Sequence, residues 1–366
     1  MKKSFCSYCR TAVDEEDLTE FDGELLCPSC LASETSICRD CGTRIWNRDD
    51  VGDGNYGSLC LSCRDDHYTA CTQCGCLLHD DDACYMDENS DSPYCSSCME
   101  ELASENIHNY YYKPVPVFYG SGSRYLGVEL EIDEGGESND NAERILAIAN
   151  DMSERCYCKH DGSLDDGFEI VTHPMSLRYH ETEMPWDAVL KKAVRMGYRS
   201  HQANTCGLHV HVNRDSFGES EAEQDAAIGR VLFFVEKHWA ELLKFSRRTQ
   251  YQLNRWACRY GYKDRPRDML EHAKKGPFGR YACINLTNRS TIEFRLFRGT
   301  LKLNTLIATL PLVDRICALC TELEDEEIRE LSWAEFVSSL TETELISCLK
   351  ERRLYVNEPV ESEAEI

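Results

Sequence analysis

Residues 125–133 read Tyr125-Leu126-Gly127-Val128-Glu129-Leu130-Glu131-Ile132-Asp133, and their alternation predicts a β-strand with two unlike faces. Val128, Leu130 and Ile132 share the apolar face; Glu129, Glu131 and Asp133 share the other. Three acids along one strand face repel each other unless solvent or a cation relieves them.

Three further segments repeat the arrangement. Gly167-Phe168-Glu169-Ile170-Val171-Thr172 carries one acid, Glu169, among apolar and β-branched neighbours. Cys206–Asn213 sets His209, His211 and Asn213 against Leu208, Val210 and Val212. Thr291–Phe297 sets Glu293 and Arg295 against Ile292, Phe294 and Leu296. Solvated faces mix Lys, Thr and Gln, whereas here Glu and His recur, as in a metal-lined sheet. Helical patterns fall between the strands, at 139–150, about 178–197, 221–245 and 303–323. The expectation is an α+β fold whose polar sheet face is concave and whose other face is backed by helices. Carboxylates with one imidazole suit Mg²⁺ or Mn²⁺, ions that commonly hold nucleotide phosphates. From residue 124 onward neither GxxxxGK[ST] nor GxGxxG occurs, so arginines would clamp the phosphates: Arg280, Arg295 and Arg298.

The N-terminal part is of another kind. Of the 22 cysteines in 366 residues, 14 precede residue 100. Twelve form CxxC pairs: Cys6/Cys9 with Cys27/Cys30, Cys38/Cys41 with Cys60/Cys63, and Cys71/Cys74 with Cys95/Cys98. The spacers are 17, 18 and 20 residues and the units start 32 and 33 residues apart, which marks one small unit used three times. Two CxxC turns complete a tetrahedral S4 shell for zinc, and about 30 residues cannot bury a core without such a metal. Iron–sulfur or redox use of the pairs is the alternative. Cys76, Cys84, His67 and His79 stand outside these pairs and read as packed or exposed side chains. The spacing resembles LIM-like and treble-clef modules, whose usual business is binding proteins.

The chain holds 40 Lys and Arg against 65 Asp and Glu, a net charge of −25. Residues 1–113 carry eight basic against 23 acidic side chains, which opposes binding to a phosphate backbone. No uninterrupted apolar run approaches the roughly 20 residues of a membrane span, and Met1-Lys2-Lys3 leads into no apolar segment. Nucleic acid and membrane are therefore not expected as partners, and the expected location is cytoplasmic. Pro114, Pro116, Gly120 and Gly122 read as a linker. The division expected is 1–34, 35–66 and 67–104 for three zinc modules, 105–123 for a linker, 124–325 for the α+β domain and 326–366 for two short helices with an acidic tail.

Taken in order, Gly127-Val-Glu-Leu-Glu131, Lys159-His-Asp-Gly-Ser163, Glu169-Ile-Val-Thr-His-Pro174, Gly207-Leu-His-Val-His211, Arg280–Asn285 and Glu293-Phe-Arg-Leu-Phe-Arg-Gly-Thr300 resemble the amidoligase family, distant relatives of glutamine synthetase and glutamate–cysteine ligase. The resemblance covers roughly residues 120–325. It implies a glutamine-synthetase-like antiparallel sheet and an ATP-dependent carboxylate–amine ligase that works through an acyl phosphate. By that resemblance Glu129, Glu131, Glu169, His209 and Glu293 would hold two or more Mg²⁺ ions. Arg295 and Arg298 would stabilise the transferring phosphoryl group, and Arg280, Asn285, His211 and Asp161 would touch ATP or substrate. Asp161 also suits a simple Gly-Ser turn. The zinc modules would present a peptide or protein; the amine donor is unspecified.

Two other readings fit parts of the pattern. His209 and His211 with a glutamate could hold zinc in a hydrolase. Alternatively, the zinc modules could make the chain a non-enzymatic adaptor.

Overall fold

The computed structural model describes residues 3–53, 56–85, 92–102, 106–276 and 278–355. They divide into two compact units, one of residues up to 103 with Tyr111–Pro114, the other of Ser104–Tyr110 with Val115 onward.

In the first unit the same small module recurs three times. Each first CxxC pair sits at the end of a two-stranded hairpin: Lys3–Phe5 with Ala12–Asp14, Thr35–Ile37 with Arg44–Trp46, and Tyr68–Ala70 with Leu77–His79. A short turn follows each hairpin, at Glu15–Asp17, Asn47–Asp49 and Asp80–Asp82. The second pair then opens a seven-residue helix: Pro28–Glu34, Leu61–His67 and Ser96–Leu102. The CxxC turn itself is fixed by backbone hydrogen bonds, with Gly42 N donating to Cys38 O and Gly75 N to Cys71 O, both at φ near +70°. In the first module Arg10 holds the same left-handed position, at φ 62°.

Because a module this small has almost no core, neighbours share one. Trp46 of the second module is buried with Cys6, Leu26, Cys27 and Cys30 of the first, and its indole N–H donates to Asp22 at 2.9 Å. Leu77 of the third packs with Cys38, Leu59 and Cys63 of the second.

The second unit is built on a seven-stranded sheet. We number its strands β1 (Ile107–His108), β2 (Leu126–Ile132), β3 (Cys156–Lys159), β4 (Phe168–Thr172), β5 (Gly207–Asn213), β6 (Ile284–Asn285) and β7 (Thr291–Arg298). The order across the sheet is β6-β7-β5-β2-β4-β3-β1. Every pairing is antiparallel except β1 with β3, so the sheet is mixed, not purely antiparallel as expected. Strand β1 lies in the stretch assigned to a linker; its two residues carry no alternation, and only the parallel register Cys158↔Ile107 reveals it.

Apolar faces drive the packing. Val128, Leu130 and Ile132 are wholly buried, with Leu208, Val210, Val212, Ile292 and Phe294 in the same layer. Helices Glu221–Lys237 and Leu303–Glu322 belong to that core. The latter is the one helix among the described residues long and apolar enough to cross a membrane, and 61% of its most apolar window is buried within the protein.

Several expected helices are interrupted. The 178–197 pattern is two helices, Leu177–Thr182 and Trp186–Arg195, parted at Pro185. The 221–245 pattern breaks at His238, between Glu221–Lys237 and Trp239–Ser246. Beyond residue 324 there are, among the described residues, three short helices where two were expected, and Ile328, Phe336, Val337, Leu345 and Leu349 join the main core, so this segment belongs to the α+β unit. The acidic tail lies outside the described residues.

Candidate active site and cysteine metal centres

Register brings the charged side chains of five strands into rows on the face opposite the core. Lys159, Glu169 and Glu131 pair successively across β3, β4 and β2. Glu129 pairs with His209, and Asn285, Glu293 and His211 pair across β6, β7 and β5. Residues directly opposite in antiparallel strands share a face, so one sheet surface collects four glutamates and two histidines.

His209 is the hub. Its Nδ1 lies 3.2 Å from Glu129 and 3.5 Å from Glu293, and its Nε2 lies 3.6 Å from Glu131. The close approach needs Gly207, where a Cβ would stand 2.7 Å from His209 Nε2. Gly207 N also donates to the Glu131 carboxylate.

Glu129, His211 and Glu293 offer ligand atoms within 4.8 Å of one another, close enough for one cation. His211 rather than His209 completes this group; His209 is instead surrounded by carboxylates from three sides. His211 Nδ1 is 3.1 Å from Thr291 Oγ1, and Nε2 is 3.1 Å from Glu129 Oε1. That second approach lacks hydrogen-bond geometry and leaves Nε2 a buried atom without a hydrogen-bond partner. With Nδ1 donating to Thr291, the Nε2 lone pair faces the carboxylates, as a metal ligand requires. The donor set of two carboxylates and an imidazole fits Mg²⁺ or Mn²⁺.

Without a metal the site's charges partly balance one another: against its burial, Glu129 and Glu293 raise His211, whose proton a bound cation would displace. Burial opposes charge on Glu129, yet His211 and His209 hold its carboxyl well below the usual range. Burial likewise opposes Glu293, and His211 and Arg295 pull it down. Burial pushes Glu169 up to about 8, helped by Glu129, Asp161 and Glu131 and resisted by Lys159 at 3.1 Å. Burial also raises Glu131, and Asp161 adds to it. A divalent cation would relieve this crowding of negative charge.

The other expected residues take distinct places. Asn285 is buried, donates to Glu293 at 2.8 Å and accepts from Thr287 N and Oγ1, so its amide holds the glutamate. Arg295 pairs with Glu293, and Arg248, a residue the sequence did not single out, donates to the Arg295 carbonyl at 2.7 Å. Asp161 accepts from Ser163 N at 2.6 Å, a turn-forming bond, while its charge acts on Glu131 and Glu169. Arg280 lies on the turn Gly279–Tyr281 and donates to the hydroxyls of Tyr110 and Tyr281 at 2.5 and 2.9 Å. Arg298 pairs with Gly207 on the site face.

Asp133 departs from its strand's acidic row. It is fully buried and accepts from Glu134 N, Asp165 N, Asp166 N and Thr205 Oγ1, which locks the loop after β4's partner strand and leaves no lone pair facing the site. Lys159 and Tyr110 are additions. The Lys159 ammonium sits 5.4 Å from the centre of the Tyr110 ring, and Lys159 was legible from Cys156 and Cys158, whose inward faces turn it outward.

In the first unit the twelve CxxC cysteines gather as foreseen into three clusters: Cys6, Cys9, Cys27, Cys30; Cys38, Cys41, Cys60, Cys63; and Cys71, Cys74, Cys95, Cys98, each with sulfurs within 4.8 Å. Four thiolates cannot all ionise so close together without a cation. Against its burial, backbone N–H groups pull Cys6 down to about 6, while burial and the neighbouring sulfurs push Cys30 up to about 12. The three sites fit zinc.

Comparison with known proteins follows the same division. A crystal structure of a bifunctional glutathione synthetase from Pasteurella multocida matches with 14% identity and a TM-score of 0.34, over 63% of this chain and 46% of that one. The chain thus spans under half the length of that synthetase, and so loose a likeness carries nothing further. Among curated proteins no sequence matches the chain. The profile of a family described as "Putative amidoligase enzyme" matches residues 123–317, just over half the chain and the stretch that holds all four site glutamates and both histidines. On that match the chain belongs to the amidoligase family.

Proposed function

We propose that the protein is an ATP-dependent carboxylate–amine ligase, with a glutamine-synthetase-like sheet, that activates its carboxylate substrate as an acyl phosphate. The observation that carries this reading is the group of Glu129, His211 and Glu293, the first two half-buried and the third buried, flanked by the buried Glu131, Glu169 and Lys159 on one sheet face. Glu129, His211 and Glu293, with Glu131, Glu169 and His209 close by, would hold Mg²⁺, which would supply positive charge to offset the charge that builds up in phosphoryl transfer. Asn285 and Thr291 keep two of these ligands in place through hydrogen bonds. Arg295, Arg298 and Arg280 would supply guanidinium groups for phosphoryl or carboxylate oxygens, and Asp161 would meet ATP or substrate. Burial of the row excludes water, which protects an acyl phosphate from hydrolysis.

The test is mass spectrometry of lysate incubated with ATP, Mg²⁺ and the protein. The expected signal is a product heavier by an amine donor minus water, with ADP released alongside. Glu131→Gln and Glu293→Gln should abolish it while the variants still melt cooperatively. Bond hydrolysis without nucleotide, or no shift in melting temperature on adding Mg²⁺ and ATP, would overturn the reading.

We further propose that the three modules bind zinc and present a peptide or protein substrate in the cytoplasm, with neither nucleic acid nor membrane as partner. Their acidity supports this, as does the way each module borrows core from the next. Deleting residues 1–105 tests it, because a cut at 113 would also remove β1 and Tyr110 from the ligase unit. Turnover on the native substrate should fall while ATP binding persists; full turnover would leave the modules without a substrate role.

A further inference from the structure

The three modules superimpose in sequence as well as in fold, and the repeat exposes one substitution. Two residues after the first CxxC pair, the first module has Thr11, the second Thr43 and the third Cys76. In each case this residue closes the CxxC turn: the carbonyls of Thr11, Thr43 and Cys76 accept from the N–H of Cys6, Cys38 and Cys71. The side chain at this position lies beside the second cysteine of the pair. Thr11 Oγ1 is 3.2 Å from Cys9 Sγ, and Thr43 Oγ1 hydrogen-bonds Cys41 in the same way. A hydroxyl there steadies a metal-bound thiolate and has no redox chemistry of its own.

In the third module a sulfur replaces that hydroxyl. Cys74 and Cys76 Sγ lie 3.4 Å apart, closer than Cys74 is to Cys95, its fellow in the S4 cluster, at 3.7 Å. Cys74 is exposed and Cys76 half-buried, so an oxidant can reach them, whereas Cys71 and Cys98 are buried. Gly75, at φ 74°, turns the chain between the two sulfurs. Cys9 and Cys41 are as exposed as Cys74, but the sulfurs near them all belong to their own S4 clusters. Only the third module, among the described residues, pairs an exposed cluster cysteine with a sulfur outside the cluster.

We propose that Cys74 and Cys76 form a peroxide-sensitive thiol pair whose oxidation to a disulfide opens the third zinc site. A hydroperoxide takes the first step: the Cys74 sulfur attacks one peroxide oxygen, the O–O bond breaks, and the other oxygen leaves as water or alcohol. Cys76 then attacks the sulfenic sulfur, the S–O bond breaks, and a second water departs. The Cys74 thiolate and the Cys76 thiol have lost two electrons to the peroxide, whose oxygens take up one proton from Cys76 and one from solvent. The zinc keeps only Cys71, Cys95 and Cys98, an incomplete structural shell. In the other modules an equivalent bridge would have to consume two ligands at once.

This inference rests on the zinc reading, and the experiment separates the two. Metal content of the untreated full-length protein, by inductively coupled plasma mass spectrometry, tests for three zinc ions per chain. The protein is then titrated with hydrogen peroxide while released zinc is followed with a chromogenic chelator and tryptic peptides are mapped by mass. The expected result is early release of a single zinc together with a 2 Da loss in the peptide after Arg64, whose fragment ions place the bridge between Cys74 and Cys76 and not on Cys71, Cys84, Cys95 or Cys98, both reversed by dithiothreitol and zinc. Cys76→Thr installs the residue the other two modules already use at this position. It should keep all three zinc ions at the same peroxide dose and slow the first release by about tenfold or more. Release of all three ions together, or equal release from Cys76→Thr and wild type, overturns the proposal. So does the absence of a Cys74–Cys76 disulfide, whatever the metal content proves to be.

Discussion

The Lys159 ammonium lies 3.1 Å from Glu169, and both side chains are almost wholly enclosed, with 10% and 4% of their surface exposed. Such a pair is retained by mutual need, since each charge alone would be stranded in a low-dielectric site. Breaking it from one side typically costs about 3–5 kcal/mol. Because Glu169 is pushed up to about 8 and can take a proton once the ammonium is gone, Lys159→Met is expected to lower unfolding free energy in urea by less than that, about 1–3 kcal/mol at pH 7. Adding Glu169→Gln to that variant should recover part of the loss, because the second change removes the orphaned carboxylate. A double variant less stable than Lys159→Met would show that the two do not act as a pair.

The His211–Thr291 contact predicts a graded effect on metal binding. The Thr291 hydroxyl, at 3.1 Å from Nδ1, orients the imidazole. Outer-sphere partners of this kind usually alter metal affinity by about 10- to 100-fold. Thr291→Val should weaken Mn²⁺ binding, measured by isothermal titration, by about tenfold with little change in melting temperature. Unchanged affinity would remove His211 from the ligand set.

Arg10 stands where the second and third modules have glycine. Its φ of 62° is strained for a side chain with a Cβ, and Gly42 and Gly75 adopt φ 70° and 74° without that penalty. A Cβ at Gly42 meets nothing within 4 Å, so the cost there comes from the backbone alone. Arg10→Gly is expected to stabilise the zinc-loaded first unit by about 1 kcal/mol, and Gly42→Ala to destabilise it by a similar amount. Chemical denaturation at fixed zinc concentration would show both, and a loss of stability in Arg10→Gly would contradict the argument.

Alternation made the core of the sheet legible: a period of two along Leu126–Ile132 and Gly207–Asn213 sorts apolar from charged residues without help from tertiary contacts. The same rule misplaces Arg298. Counting by twos along β7, Glu293 and Arg295 share a face and Arg298 falls on the other. The register corrects this, because Leu208 pairs with Phe297 but Val210 with Phe294, so β7 spends one residue more than β5 over that stretch. That bulge flips the parity and returns Arg298, paired with Gly207, to the face of Glu293. Bulges are set by pairing between strands distant in sequence, which no local pattern records. Strand β1 was hidden for a related reason, since two residues held by a parallel partner carry no period at all. Asp133 was misleading in the opposite way: its alternation is right, but four donors from neighbouring loops claim its carboxylate.

His180 provides a pH test of the ligase unit away from the metal site. It is fully buried, its Nε2 donates to the Leu126 carbonyl at 3.0 Å, and its Nδ1 accepts from the Trp186 indole at 3.4 Å. That arrangement requires the neutral ring, and burial lowers the histidine to about 4 despite the carbonyl. An unfolded histidine titrates near 6.5. Above that value neither state binds the proton and the full stability is present. Between about 6.5 and 4 the unfolded chain takes up a proton that the native chain refuses, so stability falls as pH drops. Below about 4 both states are protonated and this contribution stops changing. At roughly 1.4 kcal/mol for each unit of difference, the total loss is about 3 kcal/mol. His180→Gln keeps an amide donor for the Leu126 carbonyl and removes the titration. The difference in unfolding free energy between wild type and His180→Gln should therefore shrink by about that amount from pH 7 to pH 4, and a difference that stays constant would place the histidine in a solvated site.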